Sequence, residues 1–116
     1  MSGRAAELVA LLLLTLKGYR VLARRFSIGA GTGAGEVDVI ARRGRTLAFV
    51  EVKSRPDLNT AAESIRPDQR RRIARAADAF VAKRPGLRDC QVRFDAILVA
   101  PGRWPRHVPN AWRADE

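Results

Sequence analysis

The eight residues 46–53, TLAFVEVK, limit what this chain can fold into more than any other stretch. Leu47, Ala48, Phe49 and Val50 follow one another, so a strand here is apolar on both of its alternating faces. That is the pattern of a strand covered by a layer on either side, whereas a half-exposed strand alternates apolar with polar. The expected fold class is therefore α/β, with a central mixed sheet of four or five strands flanked by helices.

The rest of the chain supplies the other parts. Residues 5–17 are almost all helix formers, and Gly18 is suited to the left-handed position that ends a helix. Residues 19–26, YRVLARRF, read as a strand at the margin of a sheet. The glycine-rich run 29–35 reads as a flexible connection to a strand over 37–41, which a short turn through Arg43, Gly44 and Arg45 joins to 46–53. Residues 57–66 read as polar and irregular. Pro67 then opens a second helix running to about Lys83, with Ile73, Ala77, Phe80 and Val81 on one face. Pro85 and Gly86 end it, residues 92–100 form a further strand, and the tail with Trp104, His107, Val108 and Trp112 is expected to seal a sheet edge. At 116 residues this is the size of one domain.

Charge narrows the function. Twenty-two Lys plus Arg face 12 Asp plus Glu, a net charge of +10, and 19 of the basic residues are arginine. Arginine's planar fork pairs with two phosphate oxygens at once, so the excess suits nucleic acid. A membrane is not the expected partner. The apolar run 8–16, LVALLLLTL, is about half of the ~20 residues that a span needs, carries no basic face, and is followed by no small-residue cleavage site. One cysteine, Cys90, and one histidine, His107, can form neither an internal disulfide nor a zinc cluster, and a chemical role is expected for neither. A cytoplasmic location is the default expectation.

The chemistry is expected in the hairpin. Period-two alternation puts Glu51 and Lys53 on one face of their strand, roughly 6.5–7 Å apart, with Val52 turned away. Asp38 meets them if its strand pairs with theirs. Two carboxylates and an ammonium then converge, which is the set that phosphodiester hydrolysis calls for when a divalent cation offsets phosphate charge and activates water. Asp38, Glu51 and the Val52 carbonyl are the expected ligands of a magnesium or manganese ion, and Lys53 the group that orients water or stabilises the transition state. Glu7, on the first helix, is a candidate third acid. Against this stands the plain reading of E-x-K as a solvated pair on an edge strand. Arg70, Arg71 and Arg75 are candidate phosphate contacts, Asp95 a candidate buried structural acid, and Trp104 and Trp112 candidate edge-sealing core residues.

The run GEVDVIARRGRTLAFVEVKSR, residues 35–55, resembles the signature of the YraN-like small bacterial proteins. GYRVLARRF, the Gln-Arg-Arg run at 69–71, RFDAIL and HVPNAW extend the resemblance over nearly the whole chain. Those proteins belong to the PD-(D/E)XK nuclease superfamily and are similar to archaeal Holliday-junction resolvases. The resemblance implies a restriction-endonuclease-like core and a metal-dependent endonuclease acting on nucleic acid, with DNA, branched DNA included, as the expected substrate. It also implies metal-binding roles for Asp38 and Glu51, a catalytic role for Lys53, an acidic helix residue at Glu7, a polar residue flanking the site at Gln69, and a homodimer for two-fold symmetric junctions.

Two motif matches are set aside. Gly29, Gly31 and Ala34 fit a loose dinucleotide fingerprint but lack the strand before and helix after that the fingerprint requires, and no phosphate-binding G-x-x-x-x-G-K-[ST] exists in the chain. The rival to a nuclease is a basic protein that holds nucleic acid without cutting it.

Overall fold

The computed structural model describes residues 2–28 and 36–114; the glycine-rich run 29–35 lies outside the described residues. In chain order the elements are α1 (Gly3–Leu16), β1 (Arg20–Phe26), β2 (Val37–Arg43), β3 (Thr46–Ser54), α2 (Leu58–Glu63), α3 (Pro67–Ala82), a 3-10 turn (Pro85–Leu87), β4 (Gln91–Val99) and β5 (Arg106–Trp112). The strands form one mixed sheet in the order β1-β2-β3-β4-β5. The β3–β4 pair is parallel and the other pairs are antiparallel. Parallel strands need a crossover connection, and α2 and α3 provide it.

Local chemistry sets the boundaries. The Ser2 hydroxyl caps α1 by accepting the Ala5 N–H at 3.1 Å. At the other end Gly18, at φ +90°, lets Tyr19 N–H reach the Leu14 carbonyl at 2.9 Å and Gly18 N–H reach Thr15 at 3.0 Å. This glycine-centred closure stops the helix and turns the chain into β1. Gly44, at φ +61°, makes the two-residue turn between the paired Arg43 and Thr46.

The doubly apolar strand is the middle strand of five, with Leu47 to Val50 all fully buried. Leu47 and Phe49 face one core layer, with Ile73, Ala77 and Phe80 of α3 and Ala61 of α2. Ala48 and Val50 face the other, with Ala6, Ala10 and Leu14 of α1. Complete burial of four consecutive side chains is what alternation on a doubly covered strand requires. The opposite side of α1 leaves Leu8, Leu12 and Leu16 exposed.

Two expectations need correction. Residues 57–66 are not all irregular, because α2 forms there: Asp57 accepts the Thr60 N–H at 2.8 Å as its cap, and Ala61 is buried as its anchor. Trp104 is not an edge seal; it is 91% exposed, and Trp112, stacked on Phe94 with ring centres 5.7 Å apart, does that work with Val108 and Ala111 packed beside it.

Candidate active site at the end of β2 and β3

Pairing of Val39 with Val50 and of Ile40 with Phe49 sets the register of β2 on β3, and continuing it brings Asp38 opposite Glu51. Asp38 Oδ2 accepts the Val52 N–H at 2.7 Å, which pins the carboxylate to the β3 backbone. Lys53 Nζ stands 3.6 Å from Glu51 Oε1. The three groups therefore share one pocket at the strand ends, as alternation and pairing predict. The solvated-edge reading fails for two reasons: β3 is the central strand, and Glu51 is only 4% exposed.

The electrostatics of the pocket are those of a site short of positive charge. Burial pushes the Glu51 carboxyl up to about 9; the neighbouring Asp38 carboxylate adds to the rise, and Lys53 opposes it without cancelling it. Glu51 Oε2 is buried without a hydrogen-bond partner. A hard divalent cation fits such a place, since it supplies both the missing partner for that oxygen and the charge that lets two adjacent carboxylates ionise together. Asp38, Glu51 and the Val52 carbonyl are the groups able to hold it. Among the described residues no group of three or more His, Cys, Asp or Glu side chains is placed to hold a metal ion.

The other predicted residues make contacts of their own. Glu7 is buried on α1 and is engaged by Arg24 Nη2 at 2.8 Å and Arg25 Nε at 3.1 Å. Burial works to raise its carboxyl, but the hydrogen bonds from Arg24 and Arg25 prevail and lower it. Glu7 is thus held by two arginines of β1, and no hydrogen bond joins it to Asp38, Glu51 or Lys53. Gln69 sits half-buried in the first turn of α3 without a hydrogen bond to those three. Arg71 and Arg75 are exposed on α3. Arg70 is half-buried, its guanidinium 5.9 Å from the Trp112 ring centre, so packing claims part of that side chain.

A second polar cluster gathers around Asp95. Asp95 is fully buried and accepts from Arg93 Nε and Nη2, both at 2.8 Å, and from the Asn110 N–H at 2.9 Å. His107 Nε2 lies 2.8 Å from Asp95, and its Nδ1 lies 2.6 Å from Lys17 Nζ. An ammonium can only donate, so Nδ1 accepts and Nε2 carries the proton that Asp95 receives. The structural role expected for Asp95 is the one seen, and His107, assigned no role from sequence, is its partner. The near-continuous apolar run from Phe94 to Ala100 was the available signal, because an acid within it must have found donors.

Comparison with known proteins places the chain in a family and relates its fold to a solved structure. The family model described as Uncharacterised protein family UPF0102 matches residues 6–99. The chain belongs to that family. A UPF0102 protein of Paramagnetospirillum magneticum is 60% identical over 113 residues, covering 97% of this chain and 88% of the relative. Another UPF0102 member, from Parvibaculum lavamentivorans, is 51% identical over 111 residues, covering 96% of this chain and 80% of that protein. Among solved structures, Hjc, a Holliday junction resolvase from Archaeoglobus fulgidus, superposes with a TM-score of 0.58 at 19% identity, over 92% of this chain and 76% of the resolvase. UPF0102 thus shares the fold of that nuclease, as the resemblance implied. Among the described residues of this UPF0102 protein no helix is long and apolar enough to cross a membrane.

Proposed function

We propose that the protein is a metal-dependent endonuclease that hydrolyses phosphodiester bonds in DNA, with branched DNA among its substrates. The observation that carries this reading is the convergence of Asp38, Glu51 and Lys53 at the end of a buried central strand, with one Glu51 oxygen left without a partner. The resolvase-like fold supports the reaction class. The net charge of +10 supports a polyanionic substrate.

In this scheme Asp38, Glu51 and the Val52 carbonyl hold a magnesium or manganese ion. When bound, such an ion supplies Lewis-acid stabilisation of the phosphate and acidifies a water molecule. The protein's own part is orientation. The Val52 N–H fixes Asp38, so that carboxylate cannot swing away from Glu51. Lys53, whose side chain is 16% exposed, offers ammonium protons to a water or a non-bridging phosphate oxygen beside Glu51. Glu7 acts through Arg24 and Arg25, which it holds on the strand paired with β2. Gln69, Arg71 and Arg75 present polar and cationic groups from α3 to the substrate backbone.

A basic protein that binds without cutting is the alternative, and the net charge fits it equally. It gives no reason to set two acids close to bound phosphates, where they repel the ligand. The deciding experiment compares wild type with D38N and E51Q on branched, flapped, single-stranded and duplex DNA in magnesium. Cleavage by the wild type, falling about a thousand-fold in both variants while binding stays equal or tightens, is the expected result. Undiminished cleavage by both variants, or none by wild type on any substrate, overturns the assignment.

A further inference from the structure

At the far end of the β2–β3 hairpin from Asp38 lies a basic patch that the proposed reaction does not use. Arg20 of β1 and Arg42 of β2 are direct cross-strand partners. Paired positions place side chains about 4.5–5.5 Å apart at their bases, and like charges directly opposite one another destabilise a sheet. Arg45 follows in the turn, exposed. Among the described residues these three arginines form no ion pair with any carboxylate. Other arginines also lack an acid partner, and what sets Arg20 and Arg42 apart is that they face each other directly across two paired strands.

Arg20 and Arg42 line an open cavity of about 400 Å³ together with Gly18, Arg43 and Gly44, with no acidic side chain in its wall, and Arg45 lies next in the chain to Gly44. Arg43 is occupied on its other side, donating to the Lys17 carbonyl at 3.1 Å and lying 4.5 Å over the Tyr19 ring. Arg42 is steered by a bond from Nε to the Gly44 carbonyl at 2.9 Å, which leaves its terminal nitrogens available. Two glycines in the wall let an anion approach backbone closely. An uncompensated like-charge pair beside a small-residue cavity is what a phosphate-binding subsite needs before its ligand arrives.

We infer that Arg20, Arg42 and Arg45 form a second phosphate subsite that grips the backbone of the nucleic acid at a distance from the cleavage site. The inference rests on the nuclease reading for what lies in the first site. Asp38 and Arg42 are four residues apart on β2, about 13 Å at ~3.3 Å per residue. The grip therefore makes the protein sensitive to duplex length on one side of the scissile bond.

The test uses the full chain, with fluorescence anisotropy on labelled duplex and four-way-junction DNA in chelator. The R20T/R42T/R45S variant is compared with wild type and with a charge-matched variant, R66S/R88S/R103S. Folding of each is checked by thermal melting. The patch variant is expected to bind about tenfold more weakly, with a log–log salt slope shallower by about two, and to retain the wild-type cleavage rate at saturating DNA. The charge-matched variant is expected to keep the wild-type slope within about one. Equal slopes for patch variant and wild type, or equal losses in both variants, overturn the inference. Loss of binding to anionic phospholipid vesicles with DNA binding intact overturns it as well, in favour of a lipid surface. A wild type that binds DNA but never cuts it defeats the nuclease reading alone, because the salt slopes still decide the subsite.

Discussion

The Val52 N–H donates to Asp38 Oδ2 at 2.7 Å, so the first acid of the proposed site is also a tie between the start of β2 and the end of β3. Function and stability can then be separated at one residue. D38N keeps an oxygen that accepts this bond, whereas D38A removes it and leaves an N–H unpaired. Both are expected to lose cleavage, but D38A alone should lose about 1 kcal/mol of stability in chelator. Urea denaturation of the two variants measures the difference, and equal midpoints would show that the bond contributes nothing.

Glu51 combines burial, a carboxyl pushed up to about 9 and an oxygen without a partner. In the absence of metal it weakens the fold, since above its ordinary value of 4.5 the unfolded chain ionises freely while the folded one does not. E51Q is therefore expected to be inactive yet more stable than wild type in chelator at pH 8, by roughly 1–2 kcal/mol. Millimolar magnesium should raise the melting temperature of wild type and leave E51Q unmoved. A variant that melts earlier than wild type under both conditions would show that Glu51 supports the fold.

Asp95 gives the opposite pH dependence. Burial works to raise its carboxyl, and the hydrogen bonds from His107, Arg93 and the Asn110 N–H outweigh that and hold it at about 2, below its ordinary 3.8. A depressed carboxylate contributes its full stability above the unfolded value and loses it as pH falls through the folded one. Wild type should accordingly lose about 2 kcal/mol between pH 4 and pH 2 that D95N does not lose, because D95N lacks it already at pH 7. Chemical denaturation across that range checks the slope, and parallel curves would refute the assignment.

The two tryptophans should behave oppositely. W112A empties a position that is 2% exposed beneath Arg70 and against Phe94, and is expected to cost about 3–5 kcal/mol. W104A removes a side chain that is 91% exposed and should change stability by less than about 0.5 kcal/mol. Thermal melts of the pair, read together, test whether β5 seals the sheet through Trp112.

The covered strand, its hairpin and the two long helices were legible because they rest on local rules: two-residue alternation, a glycine able to take positive φ, a proline at a helix start. The same rules placed Glu51 and Lys53 on one face, and pairing with the preceding strand brought in Asp38. The short helix α2 was missed because its cap, Asp57, and its one fully buried residue, Ala61, look like ordinary polar-loop sequence until β3 and β4 lie beneath them.

The sequence by itself determined a doubly covered central strand, the acid and lysine at its end, and a cationic surface, since each follows from side-chain period or net charge within a short window. Tertiary structure alone decided that Glu7 is claimed by Arg24 and Arg25, that His107 reaches Asp95, and that Arg20 faces Arg42 without an acid between them. Those outcomes depend on strand order and on which charges compete at close range. Glu7 and Arg24 stand 17 positions apart, Asp95 and His107 12, and Arg20 and Arg42 22 (42 − 20), separations with no periodicity in common that could announce their meeting.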